Sequence, residues 1–156
     1  MRIGFGYDSH RFEEGRPLVL GGVRFPGERG LKGHSDPDVV VHALIDALLG
    51  AAALGDIGSH FPDTDERWRG AVSTNLLSSV VRDVRAAGFS IGNVDVTVIC
   101  ETPRLRPKID EMRESLASVL GIDVSRVSVK GKTNEQMDDV GARLGIEAHA
   151  VCLLEK

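Results

Sequence analysis

A chain of 156 residues, 42% hydrophobic and 27% charged, has the length and balance of one compact domain spanning 1–156, able to bury most of what its unfolded form exposes. A formal net charge of −4 without any basic run argues against a nucleic-acid groove or an anionic membrane surface as partner. The opening shows no charged leader followed by an apolar stretch, and the longest apolar run is broken by His42 and Asp46, so neither export nor a membrane span is expected and the cytoplasm is the predicted compartment.

In chain order, "RIGFGYDSH" alternates, with Ile3, Phe5 and Tyr7 on one side and Gly4, Gly6, Asp8 and His10 on the other, the pattern of a strand with one reactive face. "LVLGGVRF" reads as a small hairpin turning at Gly21-Gly22. A glycine-rich stretch then leads into a helix over roughly 37–54, capped by Ser35 or Asp36, with Pro37 in its first turn and Gly55 as its stop. Between this helix and the next, "GDIGSHFPDTDERWRG" runs about sixteen residues without periodicity, and its Phe61, Trp68 and three aspartates suit a lid over a ligand. "STNLLSSVVRDVRAAG" carries Leu76, Leu77, Val80, Val81 and Val84 on one stripe, with Ser73 as cap and Gly88 as terminator. "NVDVTVICE" is a strand, "PKIDEMRESLASVLG" a helix buried through Ile109, Met112, Leu116 and Leu120, and "RVSVKGK" the strand of a parallel crossover. "GIEAHAVCLLEK" closes the chain as another strand. The expected fold class is α+β, helices layered on a mixed β-sheet. Cys100 and Cys152 lie in strand-like apolar runs without metal-type spacing, which predicts buried thiols in a reducing compartment.

The chemistry is carried by polar residues that interrupt apolar patterns. Asp8 and His10, two apart on a strand, share a face, and Gly4 and Gly6 beside them leave room for a bound species. Asp-x-His is a two-ligand metal pattern, and His42, on a helix apolar nearly all round, is the third ligand that would leave a coordination position open. Asp46, one turn after His42, is then expected to accept from the other ring nitrogen and fix its tautomer. "GHSDPD" precedes a helix N-terminus, where free N–H groups favour a phosphate and His34 and Ser35 add donors. "KGKTNE", with Lys130, Lys132, Thr133 and Glu135, ends a strand and combines cations, a hydroxyl and a hard oxygen ligand suited to Mg²⁺ or Mn²⁺.

The motifs "GYDSHRF", "GHSDPDVVVHALIDALLGAAALGDIG", "FPDTD", "GNVDVTVICETPRL" and "KTNE", in order along the whole chain, resemble the 2-C-methyl-D-erythritol 2,4-cyclodiphosphate synthase family of the non-mevalonate isoprenoid pathway. The resemblance implies a phosphorus–oxygen lyase. It would convert 4-diphosphocytidyl-2-C-methyl-D-erythritol 2-phosphate to the 2,4-cyclodiphosphate with release of CMP. It implies an α+β subunit in a three-fold homotrimer, sheets facing the axis and sites formed between subunits, with a small-molecule cytidine diphosphate substrate and neither nucleic acid nor membrane as partner. Asp8, His10 and His42 would hold zinc, and Mg²⁺ or Mn²⁺ would bridge the diphosphate with help from Glu135. His34 and Thr133 would stabilise the transition state. Asp8, Ser9, His10 and His34 would contact the substrate, and Ser35, Asp56, Ile57, Gly58, Phe61, Pro62, Asp63, Thr64 and Asp65 would surround the methylerythritol phosphate. Lys132, Thr133, Asn134 and Glu135 would lie near the diphosphate, and residues 100–106 of a neighbouring subunit would receive the cytidine.

One segment departs from the family pattern. Asp138 and Asp139 replace a glycine and an aromatic residue, Ala142 stands at a usual arginine, and Arg143 comes one place late; no family role carries over to Asp139 or Ala142. Two other classes fit the same donors: a metal-dependent phosphodiesterase or phosphatase, which would activate water, and a non-catalytic trimeric nucleotide-binding protein, which has little need of an open metal position.

Overall fold

The computed structural model describes residues 1–33 and 36–156. The opening alternation forms β1 (Arg2–Glu13), followed by the hairpin β2 (Leu18–Leu20) and β3 (Val23–Phe25), the short β4 (Gly30–Leu31) and the helix α1 (Val39–Ala52). Then come α2 (Ile57–His60), α3 (Ser73–Ala86), β5 (Ser90–Ile99), α4 (Ile109–Leu120), β6 (Val127–Lys132), α5 (Asp138–Gly141) and β7 (Gly145–Glu155). Five strands make one mixed sheet in the order β4-β1-β7-β5-β6. Only β5 and β6 run parallel, joined through α4 as the crossover pattern requires. The two ends of the chain pair in the middle of the sheet, with Asp8 opposite Ala148 and His10 opposite Ile146.

The helices lie on one face. α1 packs across β1 and β7, α3 lies beside α1, and α4 covers β6. Gly4 and Gly6 allow that approach: a Cβ on either would collide with the Ala47 or Ala43 carbonyl oxygen of α1. The space beside Asp8 and His10 that these glycines seemed to reserve for a ligand is therefore filled by α1 itself, because a strand can meet a helix backbone this closely only where it has no side chain. On the opposite face Ile3 and Phe5 remain 75% and 61% exposed beside Tyr7 and Val151. Among the described residues, no helix is long and apolar enough to cross a membrane.

Local chemistry moves several boundaries. Asp38, not Ser35 or Asp36, caps α1, and Pro37 lies outside the helix. Asp38 Oδ1 accepts from Val41 N at 3.2 Å and from Gly21 N at 2.9 Å, while Oδ2 accepts from Gly22 N at 2.7 Å. One fully buried carboxylate thus ties the hairpin turn to the helix start. Burial pushes its pKa up to about 6 against the pull of those three donors. α1 ends at Ala53, whose φ of 59° is left-handed and whose N–H caps Gly50 O, two residues before the expected stop at Gly55. Ser73 begins α3 but does not cap it; the cap position is Val72, with no side-chain bond. Segment 55–70 is not bare loop: α2 and a 3-10 turn at Glu66–Trp68 are held by Asp56 and Asp65 as their caps. Both cysteines are buried, with burial pushing the Cys100 thiol up to about 12 and Cys152 up to about 11.

Candidate metal centre and its cleft

α1, buried on nearly every side, and β1, which packs on it through Gly4 and Gly6, place the metal donors. His10 Nε2 lies 2.9 Å and His42 Nδ1 3.1 Å from the same Asp8 oxygen, Oδ2, and the two imidazole nitrogens are 3.4 Å apart. The three donor atoms fall within 4.8 Å of one another, the only such group of three among the described residues. Their outer contacts fix the tautomers. His10 Nδ1 sits 2.7 Å from Lys32 O, a carbonyl that can only accept, so Nδ1 carries the proton and Nε2 the lone pair. His42 Nε2 sits 3.1 Å from Ser73 Oγ, whose own proton is donated to Asp36 O, so Nε2 carries the proton and Nδ1 the lone pair. Two lone pairs and a carboxylate therefore converge on one point, an arrangement that only a cation or an added proton relieves. Without a metal the proton serves. Burial pushes Asp8 up, but the two histidines outweigh it and hold the carboxyl below the usual range; burial pushes His10 down, but Asp8 more than offsets that and raises it.

Asp46 has a different role from the one expected. Its Oδ1 accepts from Ile57 N at 2.8 Å, anchoring the start of α2, while Ser73 holds the far side of His42. The one-turn spacing puts Asp46 on the right side of α1, but the imidazole ring points toward α3. No local pattern distinguishes Ser73 from an ordinary helix-start serine, so the residue orienting His42 is invisible until α3 is packed.

The donors open into a cleft of about 190 Å³, walled by Ile57, Gly58, Phe61, Asp63 and Trp68 of segment 55–70 and by Leu76 of α3. Of the residues expected around the ligand, Pro62, Thr64 and Asp65 do not border it; Asp65 grips Arg67 with both oxygens. Asp56 closes a capping box with Ser59. Ser9 faces the other side of β1 from Asp8 and His10, as strand alternation requires, and lines a separate depression with Arg11 and Gly145–Glu147. His34 and Ser35 lie outside the described residues.

The second expected cluster stands elsewhere. Lys132 and Thr133 border a broader depression of about 610 Å³ with Cys100, Glu101 and Pro103–Arg106, and none of these residues lines the metal cleft. Thr133 Oγ1 donates to Glu135 Oε1 at 2.9 Å, and Glu101 Oε1 accepts from Asn134 N and Gln136 N. Glu135 is thus outside the three-donor group. In the departing segment Asp138 keeps a left-handed φ of 58°, the conformation a glycine would favour. Its carboxylate offsets the strain by accepting from Val140 N and Gly141 N. Asp139 meets Arg11 at 3.6 Å.

Comparison with known proteins establishes the family. The chain is 54% identical over 156 residues to the 2-C-methyl-D-erythritol 2,4-cyclodiphosphate synthase of Brachyspira hyodysenteriae, covering 100% of this chain and 99% of that one. It is 58% identical over 155 residues to the synthase of the same name from Laribacter hongkongensis, covering 99% and 96%. A solved structure of a 2C-methyl-D-erythritol-2,4-cyclodiphosphate synthase in its CDP-bound form superposes with a TM-score of 0.91 at 42% identity, over 99% of this chain and 100% of that one. The YgbB family model matches residues 1–155. The chain belongs to the YgbB family.

Proposed function

We propose that this chain cyclises 4-diphosphocytidyl-2-C-methyl-D-erythritol 2-phosphate to 2-C-methyl-D-erythritol 2,4-cyclodiphosphate with release of CMP. The observation that carries the reading is the convergence of Asp8, His10 and His42 lone pairs at the foot of a cleft with no cysteine in its lining. The substrate supplies its own nucleophile. An anionic oxygen of the 2-phosphate attacks the β-phosphorus, a new P–O bond closes the ring, and the bond from the β-phosphorus to the bridging oxygen breaks, its electrons leaving on CMP. No proton need be removed from the attacking oxygen, so positioning and charge compensation dominate.

Zinc suits the mixed imidazole and carboxylate donors and, when bound, supplies an electrophilic charge that polarises a phosphoryl oxygen. Asp8, His10 and His42 would hold it. Lys32 O and Ser73 keep the two imidazoles in the tautomers that ligation needs. Ile57, Gly58, Phe61 and Asp63 would border the methylerythritol phosphate and exclude water from it, with Asp56 and Asp65, the caps of the two turns, holding that wall in place and Ser35 beside it. Lys132 would offset diphosphate charge, His34 and Thr133 would donate to the transition state, and Glu135 would hold Mg²⁺ or Mn²⁺.

A cleft of about 190 Å³ is below the few hundred Å³ of ordinary ligand sites, and the depression beside residues 100–106 shares no lining with it. Both facts support a site completed by a neighbouring subunit. The exposed strip of Ile3, Phe5, Tyr7 and Val151 supports a homotrimer packed through its sheets, since so contiguous an apolar face usually meets a partner. The cytoplasm is the compartment proposed. Phosphorus NMR of the protein incubated with the diphosphocytidyl substrate, Zn²⁺ and Mg²⁺ tests the reading: CMP and a cyclic diphosphate are expected, and recovery of only linear phosphates overturns it in favour of a phosphodiesterase. Sedimentation at assay concentration should give a trimer, and a fully active monomer would remove the shared site.

A further inference from the structure

Trp68, the chain's only tryptophan, is held from two sides. Phe61 meets its ring edge-on at 5.0 Å with an interplanar angle of 82°, and the Arg67 guanidinium lies 5.6 Å from its centroid, itself pinned by Asp65. The indole is therefore oriented before any ligand arrives. Its Nε1–H is nonetheless buried with no hydrogen-bond partner among the described residues, although Trp68 lines the metal cleft. An indole nitrogen can only donate, and a buried donor without an acceptor is costly and rare in folded proteins. The Phe61 and Arg67 contacts explain where the ring sits. They do not explain why its one polar atom faces no oxygen.

We infer that Trp68 is a positioning residue of the cleft, donating its indole N–H to an oxygen of the phosphorylated ligand when segment 55–70 settles over it. The rest of that wall is apolar or acidic: Ile57, Phe61 and Leu76 offer no hydrogen, and the carboxylates of Asp63 and Asp8 repel a phosphoryl group. The N–H groups of His10 and His42 are already given to Lys32 O and Ser73 Oγ, which leaves Trp68 as the neutral side chain of the lining with a donor still to place, so it can fix the orientation of a ligand oxygen without adding charge to a site that already calls for a cation. The inference rests on the proposed cyclisation for the identity of the ligand.

The test uses the metal-loaded enzyme and the cyclic diphosphate product as probe. Ultraviolet resonance Raman of the single indole should show its N–H-sensitive band moving to the hydrogen-bonded position on saturation with product, and staying put with CMP alone. Replacing Trp68 by 3-benzothienylalanine, which keeps the bicyclic shape and exchanges N–H for sulfur, should raise KM about 5- to 20-fold with kcat little changed, the scale of one lost hydrogen bond. Trp68→Phe should raise it at least as much while zinc stoichiometry stays at one. An unmoved band in product-saturated wild-type enzyme, or an unchanged KM in the benzothienyl variant, overturns the inference. Failure of the wild-type enzyme to form any cyclic product fails the underlying reading instead, and the two results are distinguishable.

Discussion

The two clusters expected to handle phosphate are built in opposite ways. Asp8, His10 and His42 project from a twelve-residue strand and a helix buried on nearly every side. Each imidazole is aimed by a further partner, Lys32 O or Ser73. Lys132, Thr133 and Glu135 sit at an exposed strand end, where Glu135 and Gln136 carry left-handed φ values of 51° and 62° and the polar groups bond mainly to one another. The first cluster has each imidazole held by a partner from another segment of the chain, whereas the second is held by short bonds within one exposed turn and to Glu101. A metal needs its ligands preset to a fraction of an ångström, while a flexible diphosphate can be met partway by an adjustable turn.

The largest effect that would sharpen this contrast is loss of the metal. His42→Ala removes one of three donors, so zinc measured after exhaustive dialysis should fall from one per chain to near zero, whereas Glu135→Gln should leave it at one. Full zinc occupancy in a folded His42→Ala protein would erase the distinction between the clusters.

The rigid cluster also depends on Asp38, which locks the β2–β3 turn to the start of α1. Native Asp38 keeps its proton up to about pH 6, while the unfolded chain releases it near 3.8. Between those values the native state binds more protons, so its contribution is full below pH 3.8 and is lost as pH rises through 6, by about 3 kcal/mol. Thermal melts of wild type against Asp38→Asn should show this downward slope in wild type only. Parallel curves would mean that the carboxylate titrates alike in both states.

Next in size is orientation of the ligand ring. Ser73→Ala should weaken zinc binding by about 10- to 100-fold, because His42 loses the acceptor that fixes its tautomer. Asp46→Ala should leave zinc affinity unchanged and instead speed hydrogen exchange at Ile57, whose N–H it anchors. Equal losses of zinc affinity in both variants would restore Asp46 to the ring.

What could be read from sequence divides along the same line. Alternation along β1 is local, so Asp8 and His10 were placed on one face correctly. The apolar circumference of α1 marked His42 as buried with them. Helical spacing states which side of α1 Asp46 occupies but not which way the His42 ring turns, since that depends on α3 arriving with Ser73. Gly4 and Gly6 were legible as space, and only packing shows that a helix fills it. The sequence does not single out Asp38 as the cap, because Asp36, Asp38 and Ser35 all carry cap chemistry and the hairpin turn at Gly21-Gly22 decides among them. The separation of the metal cleft from the Lys132–Glu135 turn has no sequence signature at all, because it concerns how distant segments are distributed over the surface.

The smallest expected effect probes the adjustable cluster directly. Gln136 is exposed, its side chain makes no hydrogen bond among the described residues, and its φ of 62° lies in the left-handed region. That conformation costs a non-glycine residue about 1 to 2 kcal/mol, while glycine loses about 0.5 to 1 kcal/mol more than alanine in chain entropy on folding. Gln136→Gly should therefore stabilise the fold by about 0.5 kcal/mol, a rise of one or two degrees in Tm for a chain of this size. The backbone N–H that Glu101 accepts survives the change, so the turn keeps its shape in the folded state. A lower Tm in the variant would show that the left-handed turn is unstrained and that the Gln136 side chain holds it, making the Lys132–Glu135 end as preset as the metal centre.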